Sequence, residues 1–290
     1  MKIYPECGPC MLRQAGEAID LATDDSKLKI ETINEVFKYL SNNFKVGASS
    51  NKVGSNMHRI IKKKTKCHDP YIKQKERGTQ IATALFHKVE KIFKEDDSLE
   101  NYVKIAIIGN IIDFGGLGLG IDFEKMINES LKKDLAINHI EDLKKTLENA
   151  DSLLYLVDNT GEIVFDKLLI EKLKEYDLDI TVALKEKPIL NDACMEDAIA
   201  IGLDKIAKLV SIGTDSVGLV YDEISPEFRE IFDFHDFIIS KGLGNYEGLT
   251  EINLNKKDVF YLFSAKCSAI AKDSNVKKND NVLLKSNNNS

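Results

Sequence analysis

Apolar positions along this 290-residue chain fall into two regimes. In the first hundred or so residues they recur at helical spacing, in segments near 11–22, 26–44, 51–64 and 70–95, with Gly-Ala-Ser-Ser at 47–50 as a break. This predicts a helical N-terminal domain or cap over residues 1–98, bounded by Asp96-Asp97-Ser98. Beyond it, short apolar runs begin near Val103, Leu153, Ile180, Leu209, Phe237, Val259 and Val282, most of them separated by helical patterns such as 163–176 and 193–205. Such alternation predicts an α/β domain over 99–285, a mainly parallel, doubly wound sheet with helices on both faces. Residues 286–290 are rich in Asn and read as a disordered tail.

Polar residues gather where several of these runs stop. The run Leu153 to Val157 ends at Asp158-Asn159, and a helical pattern restarts after Gly161-Glu162. In an open α/β sheet, ligands bind outside the carboxyl ends of the strands, so a carboxylate and an amide there face a cleft, and their oxygens suit hard cations. The same residues also fit a plain strand end, an Asn-Thr-Gly turn and a helix capped by Glu162. Two further strand ends carry similar chemistry: Lys187-Pro188 leading to Asn191-Asp192, and Lys241-Gly242-Leu-Gly244-Asn245-Tyr-Glu247. Carboxylates, amides and a lysine, without a histidine nucleophile, suit a divalent ion bound partly through substrate phosphate.

Taken in order, these segments resemble the motif series of the metal-dependent damage-control phosphatases, the family first catalogued as domain of unknown function 89. The resemblance rests on Asp158-Asn159-x-Gly161-Glu162, Lys187-x-x-x-Asn191-Asp192 and Lys241-Gly242-x-Gly244-Asn245-x-Glu247. Gly109-Asn110-x-x-Asp113-Phe114 looks like that family's first sheet motif, and Cys7-x-x-Cys10 with Asp69-Pro70-Tyr71 looks like its prokaryotic branch. The resemblance implies a phosphoric monoester hydrolase acting on small phosphorylated, damaged or surplus metabolites. It implies that Asp158, Asn159 and Asp192 hold one divalent ion, Mg, Mn, Co or Ni. It further implies that Lys241 clamps the phosphate, that Gly242 and Gly244 admit backbone amides, that Glu247, Asn245 and Asn110 orient water or substrate beside Glu162, and that Asp113 supports them. A carboxyl methyltransferase using S-adenosylmethionine, and a noncatalytic metal- or nucleotide-binding protein, are the alternatives.

Composition narrows these classes by exclusion. A formal charge of −7, with charged residues at 30%, argues against nonspecific binding to nucleic acid or anionic membranes. Lys62-Lys63-Lys64 reads as a solvated helix face. No apolar stretch reaches the roughly 20 residues of a membrane span and no signal peptide opens the chain, which predicts a cytoplasmic protein. Five cysteines, at 7, 10, 67, 194 and 267, do not suggest a disulfide framework. Cys7 and Cys10 read as half-buried thiols, with zinc binding completed by Cys67-His68 as the alternative, and Cys194 and Cys267 as core residues. The run Gly115-Gly116-Leu-Gly118-Leu-Gly120 fits a dinucleotide fingerprint poorly and reads as a rim loop. No nucleophile elbow or phosphate-cradling P-loop occurs.

Overall fold

A computed structural model describes residues 1–93, 96–112, 123–254 and 257–286. The chain opens with α1 (Cys7–Ala22), α2 (Ser26–Asn43), α3 (Ser50–Thr65) and α4 (Ile72–Phe93), where the helical spacing predicts them. Local chemistry sets their ends: Asp25 caps α2 by accepting from Lys27 N and Leu28 N, and Ser49 caps α3 by accepting from Lys52 N. Helices α1 to α3 bury Met11, Ala15, Ile19, Val36, Val53, Met57 and Ile61 against one another. Helix α4 instead packs Leu85, Val89 and Phe93 against α5 (Leu99–Ile112) and α6 (Phe123–Lys132).

The apolar run from Val103 therefore forms helix α5, not the strand its composition suggests. Val103, Ala106 and Ile107 pack toward the sheet while Ile105 packs toward α4, so the helix is apolar on more than one side and shows no clear period. A short buried helix of that kind cannot be told from a buried strand by spacing. Gly109-Asn110 thus belongs to a helical turn, not to a sheet motif. Asp113 and the glycines from 115 to 120 lie outside the described residues.

The sheet comprises β1 (Ile137–Asn138), β2 (Ser152–Leu156), β3 (Asp179–Leu184), β4 (Lys208–Ser211), β5 (Phe237–Lys241), β6 (Asp258–Ser264) and β7 (Asn281–Lys285). Their order is β1-β7-β6-β5-β2-β3-β4, parallel throughout except for the antiparallel β6–β7 pair. The two-residue β1 is too short to carry a pattern. Connecting helices are α7 (Ile140–Leu147), α8 (Ile163–Leu173), α9 (Met195–Ala200), α10 (Pro226–Phe234), α11 (Gly242–Leu249) and α12 (Ser268–Asp273). The pattern at 193–205 resolves into α9 and a separate 3-10 turn at Leu203–Lys205.

Alternation along each strand builds two cores. Leu153 and Tyr155 join Ile180, Val182, Ile239 and Leu262 under α5, α7 and α8, whereas Leu154 and Leu156 join Ile238, Val259 and Tyr261 under α10, α11 and α12. Burial on both faces explains why these strands read as continuous apolar runs, and each fully buried Leu or Ile contributes about 1.5–3 kcal/mol. Among the described residues, no helix is long and apolar enough to cross a membrane.

The strand order also fixes where a ligand can enter. From β2 the chain winds outward through β3 to β4, then returns by α10 to β5 on the other side of β2. Strands β2 and β5 are hydrogen-bonded neighbours, with Leu156 opposite Ser240. The winding direction reverses between them, and the crevice beyond their carboxyl ends is the place where such sheets bind ligands. Asp158 and Lys241-Gly242 both lie there.

Candidate functional site

Two loops are stitched together at this crevice. Ala193 N donates to the Asp158 carbonyl at 2.9 Å, Thr160 N donates to the Asn191 carbonyl at 2.9 Å, and Asn159 pairs with Asp192 in an antiparallel bridge. The loops after β2 and β3 thereby bring Asp158, Asn159 and Asp192 into one cluster. Asn159 Nδ2 donates to Asp158 Oδ2 at 3.0 Å and to Glu162 Oε2 at 3.1 Å, so neither bond uses its side-chain oxygen. Lys185, at the end of β3, places Nζ 3.4 Å from Asp192 Oδ2 and donates to the Gly218 carbonyl at 2.6 Å.

Negative charge is in excess here. Burial, reinforced by Glu162 and Asp192, holds the Asp158 carboxyl well above the usual range, although Lys241 and Lys185 oppose the shift. Burial also pushes Asp192 up to about 6 against the pull of Lys185. Two carboxylates and an amide, short of positive charge, fit an oxygen-preferring divalent ion that completes its shell with water and substrate. Among the described residues, no group of three or more His, Cys, Asp or Glu is arranged to hold a metal, so this mixed set is what the fold offers.

Lys241 does not reach this opening. Its ammonium is fully buried and donates to Glu162 Oε1 at 2.5 Å, Asp166 Oδ1 at 2.6 Å and the Ala106 carbonyl at 2.7 Å. With three acceptors for three N–H groups, it has no donor left for phosphate, and the expected phosphate clamp is corrected to a support beneath the site. Burial alone would lower its pKa, but Asp166 and Glu162 keep it charged. Tyr155 Oη adds a bond to Asp166 Oδ1 at 2.8 Å, and burial lifts Asp166 to about 7. Glu162 occupies the N-cap position of α8 without capping it, because its carboxylate turns to Lys241 and Asn159.

The remaining members of the lysine motif are also turned to structural ends. Asn245 Nδ2 donates to the Val157 and Lys241 carbonyls, each at 2.9 Å, and fixes the start of α11 under the β2 end. Glu247, expected to orient water or substrate, instead accepts from Ser50 Oγ while its carbonyl accepts from the Met1 ammonium, so it ties α11 to the N-terminal segment. Gly242 has φ +78, and a Cβ there would lie 2.0 Å from Asp158 Oδ2. Gly244 lies against Gly218, whose own Cβ would strike the Gly244 carbonyl at 2.0 Å. These glycines make room for Asp158 and for the loop that holds Lys185. Asn110 lies in α5.

Several contributors went unread in the sequence. Lys185 stands two positions before Lys187, at the strand end proper. Asp166 follows Glu162 by four residues on the helical path, a spacing that does signal a shared face. Lys75 reaches from α4 to Asp197 at 2.9 Å and Asp69 at 3.5 Å, and Asp197 in turn accepts from Cys194 N and Thr160 Oγ1 beside the cluster. No local spacing announces that contact. Cys7 and Cys10 are half-buried on α1, as Cys67 and Cys267 are elsewhere, and Cys194 is buried. His235 bridges the Ile231 carbonyl and Thr181 Oγ1.

Fold and site together define an α/β protein with an acidic, oxygen-rich ligand crevice at its topological switch point. The chain belongs to the damage-control phosphatase ARMT1-like family, whose domain model matches residues 3–282. It is 35% identical to the damage-control phosphatase PH1575 of Pyrococcus horikoshii over 98% of each chain, and 31% identical to a damage-control phosphatase of Archaeoglobus fulgidus over 97% of this chain and 98% of that one. An uncharacterized protein of Methanocaldococcus jannaschii, MJ0202, is 40% identical over 98% of this chain and 96% of its own. The crystal structure of the Pyrococcus horikoshii DUF89 family protein covers 99% of this chain and all of that one at a TM-score of 0.90, with 36% identity.

Proposed function

We propose that this protein is a metal-dependent phosphoric monoester hydrolase for small phosphorylated metabolites. The observation that carries the reading is the convergence of Asp158, Asn159 and Asp192, under-compensated in charge, at the β2/β5 switch point. The relatives named damage-control phosphatase support the reaction class. Asp158, Asn159 and Asp192 would hold the ion, Mg, Mn, Co or Ni. A bound ion in such a site neutralises charge on a phosphoryl oxygen and lowers the pKa of water.

The chain's own residues then divide the work. Lys241 fixes Glu162, and Glu162 fixes the Asn159 amide, so the ligand oxygens keep their direction without Lys241 touching substrate. Lys185, with one N–H beyond its two contacts, is the cation placed to meet a phosphate oxygen beside Asp192. The test is a screen of phosphate esters against Mg, Mn, Co and Ni on chelator-treated protein. Phosphate release should require an ion and fall at least about a hundredfold in Asp158→Asn, as loss of a charged ligand implies. Full turnover in chelator, or an unaffected variant, sinks the reading. Methyl transfer from S-adenosylmethionine without phosphate release favours the methyltransferase instead.

A further inference from the structure

A second cationic surface borders the loop that carries Asp192. A cavity of about 490 Å³ opens between the C-terminal turn of α3 and the loop after β3, lined by Lys62, Lys63, Lys66, His68, Lys187 and Pro188. Among the described residues no carboxylate lines it, although the chain as a whole carries a charge of −7. Lys62 is held in place, donating to Asp215 Oδ2 and to the Pro188 carbonyl, each at 2.7 Å. Among the described residues, no carboxylate pairs with Lys63, Lys66 or Lys187, whereas neighbouring Lys64 pairs with Glu31 and Glu35. The negative end of α3 accounts for lysines in its last turn. It does not account for Lys187, which comes from a different element and adds its charge to the same cleft.

Distance makes the cleft relevant to the ion site. Asp192 N donates to the Ile189 carbonyl at 3.1 Å and closes a turn. Such a turn keeps its end Cα atoms within about 7 Å, and two more residues add at most about 3.8 Å each, so Lys187 and Asp192 lie no more than about 15 Å apart along this loop. Flexible lysine stems shorten the gap further. By contrast, the cavity beside α8 sets Glu90, Asp97, Glu171 and Glu175 against the single cation Lys172, which is already paired with Asp97 and Glu175, and its excess of carboxylates disfavours an anion.

We propose that this cleft binds a second anionic group, phosphate or carboxylate, on the substrate whose ester phosphate meets the Asp158 cluster. The proposal rests on the phosphatase reading and narrows its substrate class to small metabolites with two anionic ends. It is tested with Lys63→Gln/Lys66→Gln, exposed neutral replacements of similar length, on a hexose bisphosphate, the matching hexose monophosphate and p-nitrophenyl phosphate. KM for the bisphosphate should rise at least tenfold in the variant with kcat held, while both monoesters keep wild-type kinetics. A wild-type enzyme that does not prefer the bisphosphate, or a variant that loses equally on all three, overturns the proposal. So does an unchanged bisphosphate KM together with altered response of monoester hydrolysis to added inorganic phosphate, which would mark an effector site. If wild-type protein hydrolyses no ester with any ion, the phosphatase reading falls separately, and the cleft is judged by equilibrium binding of the hexose bisphosphate. Wild type should then bind at least tenfold more tightly than the variant, and equal binding overturns the cleft.

Discussion

Gly242 and Asp158 occupy adjoining strand ends so closely that a Cβ on the glycine would stand 2.0 Å from the aspartate Oδ2. The missing side chain at the start of α11 therefore sets the position of a carboxylate just beyond β2. Gly242→Ala adds a left-handed residue at φ +78 and pushes Asp158 out of register with Asn159. We expect a stability loss of about 1–3 kcal/mol, and a fall in kcat/KM of at least about a hundredfold with weaker metal binding. Metal titration and kinetics on the folded variant check this, and wild-type metal affinity would separate Gly242 from the site.

Lys241→Met gives a contrasting signature. Removing the ammonium leaves Glu162 and Asp166 buried without their cation, a change that typically costs about 3–5 kcal/mol and lowers Tm by roughly 6–20 °C in a chain of this size. A residue that only clamps phosphate would leave Tm nearly unchanged. Thermal unfolding decides between these, and Lys241→Met/Asp166→Asn should regain part of the lost stability because one stranded charge is gone.

The difference between those two lysine roles was not written in the local sequence. Strand ends at Asp158 and Lys241 were legible because apolar runs stop there, and the Asp158-Asn159-Asp192 cluster followed from the motif series. Which way Lys241 points depends on Glu162 and Asp166 rising under it from α8, and on α5 lending the Ala106 carbonyl. The α5 segment has the apolar character of a buried strand, so its contribution leaves no local signal. The place of Glu247 is hidden for a related reason. Its partners, Ser50 and Met1, are 197 and 246 residues away in sequence, and long-range pairing of that kind leaves no periodic trace. The central strands β2, β3, β5 and β6 are legible because burial on both faces makes them almost uniformly apolar, whereas β4 at the sheet edge, with Lys208 and Ser211, shows only the pair Leu209-Val210.

Lys185 provides a test of the cleft's cation. Lys185→Ala should lower kcat/KM for phosphate esters at least about tenfold, since a charge-assisted contact to phosphate is worth roughly 1.5–3 kcal/mol. Lys185→Arg should recover part of the rate, because the planar guanidinium keeps the charge but not the short reach to the Gly218 carbonyl. Steady-state kinetics at saturating metal measures both. Equal rates in Lys185→Ala and wild type would return the phosphate contact to some other group.

The raised carboxyl groups give the metal-free protein a particular response to pH. Asp192 and Asp166 move from 3.8 to about 6 and about 7 in the fold, so the folded protein binds protons that the unfolded chain has already released in that interval. Their stabilising protonation is present in full below the unfolded value and is lost as pH rises through the folded values. Asp97, Asp215 and Asp236 act oppositely, since their pairing lowers their pKa and is lost in acid, below the interval that matters here, whereas His58, lowered by burial to about 4, and His235, also lowered by burial, act oppositely within it and offset part of the loss. Metal-free protein should therefore lose Tm between pH 5 and pH 8. A divalent ion bound at Asp158, Asn159 and Asp192 should restore it at pH 8 and do little at pH 5, where protons compete for the same oxygens. Asp192→Asn should flatten part of the pH slope and most of the metal response. Calorimetric scans at the two pH values, with and without Mn, measure all four conditions, and a metal-free Tm that rises across this interval would contradict the assignment of excess negative charge to the site.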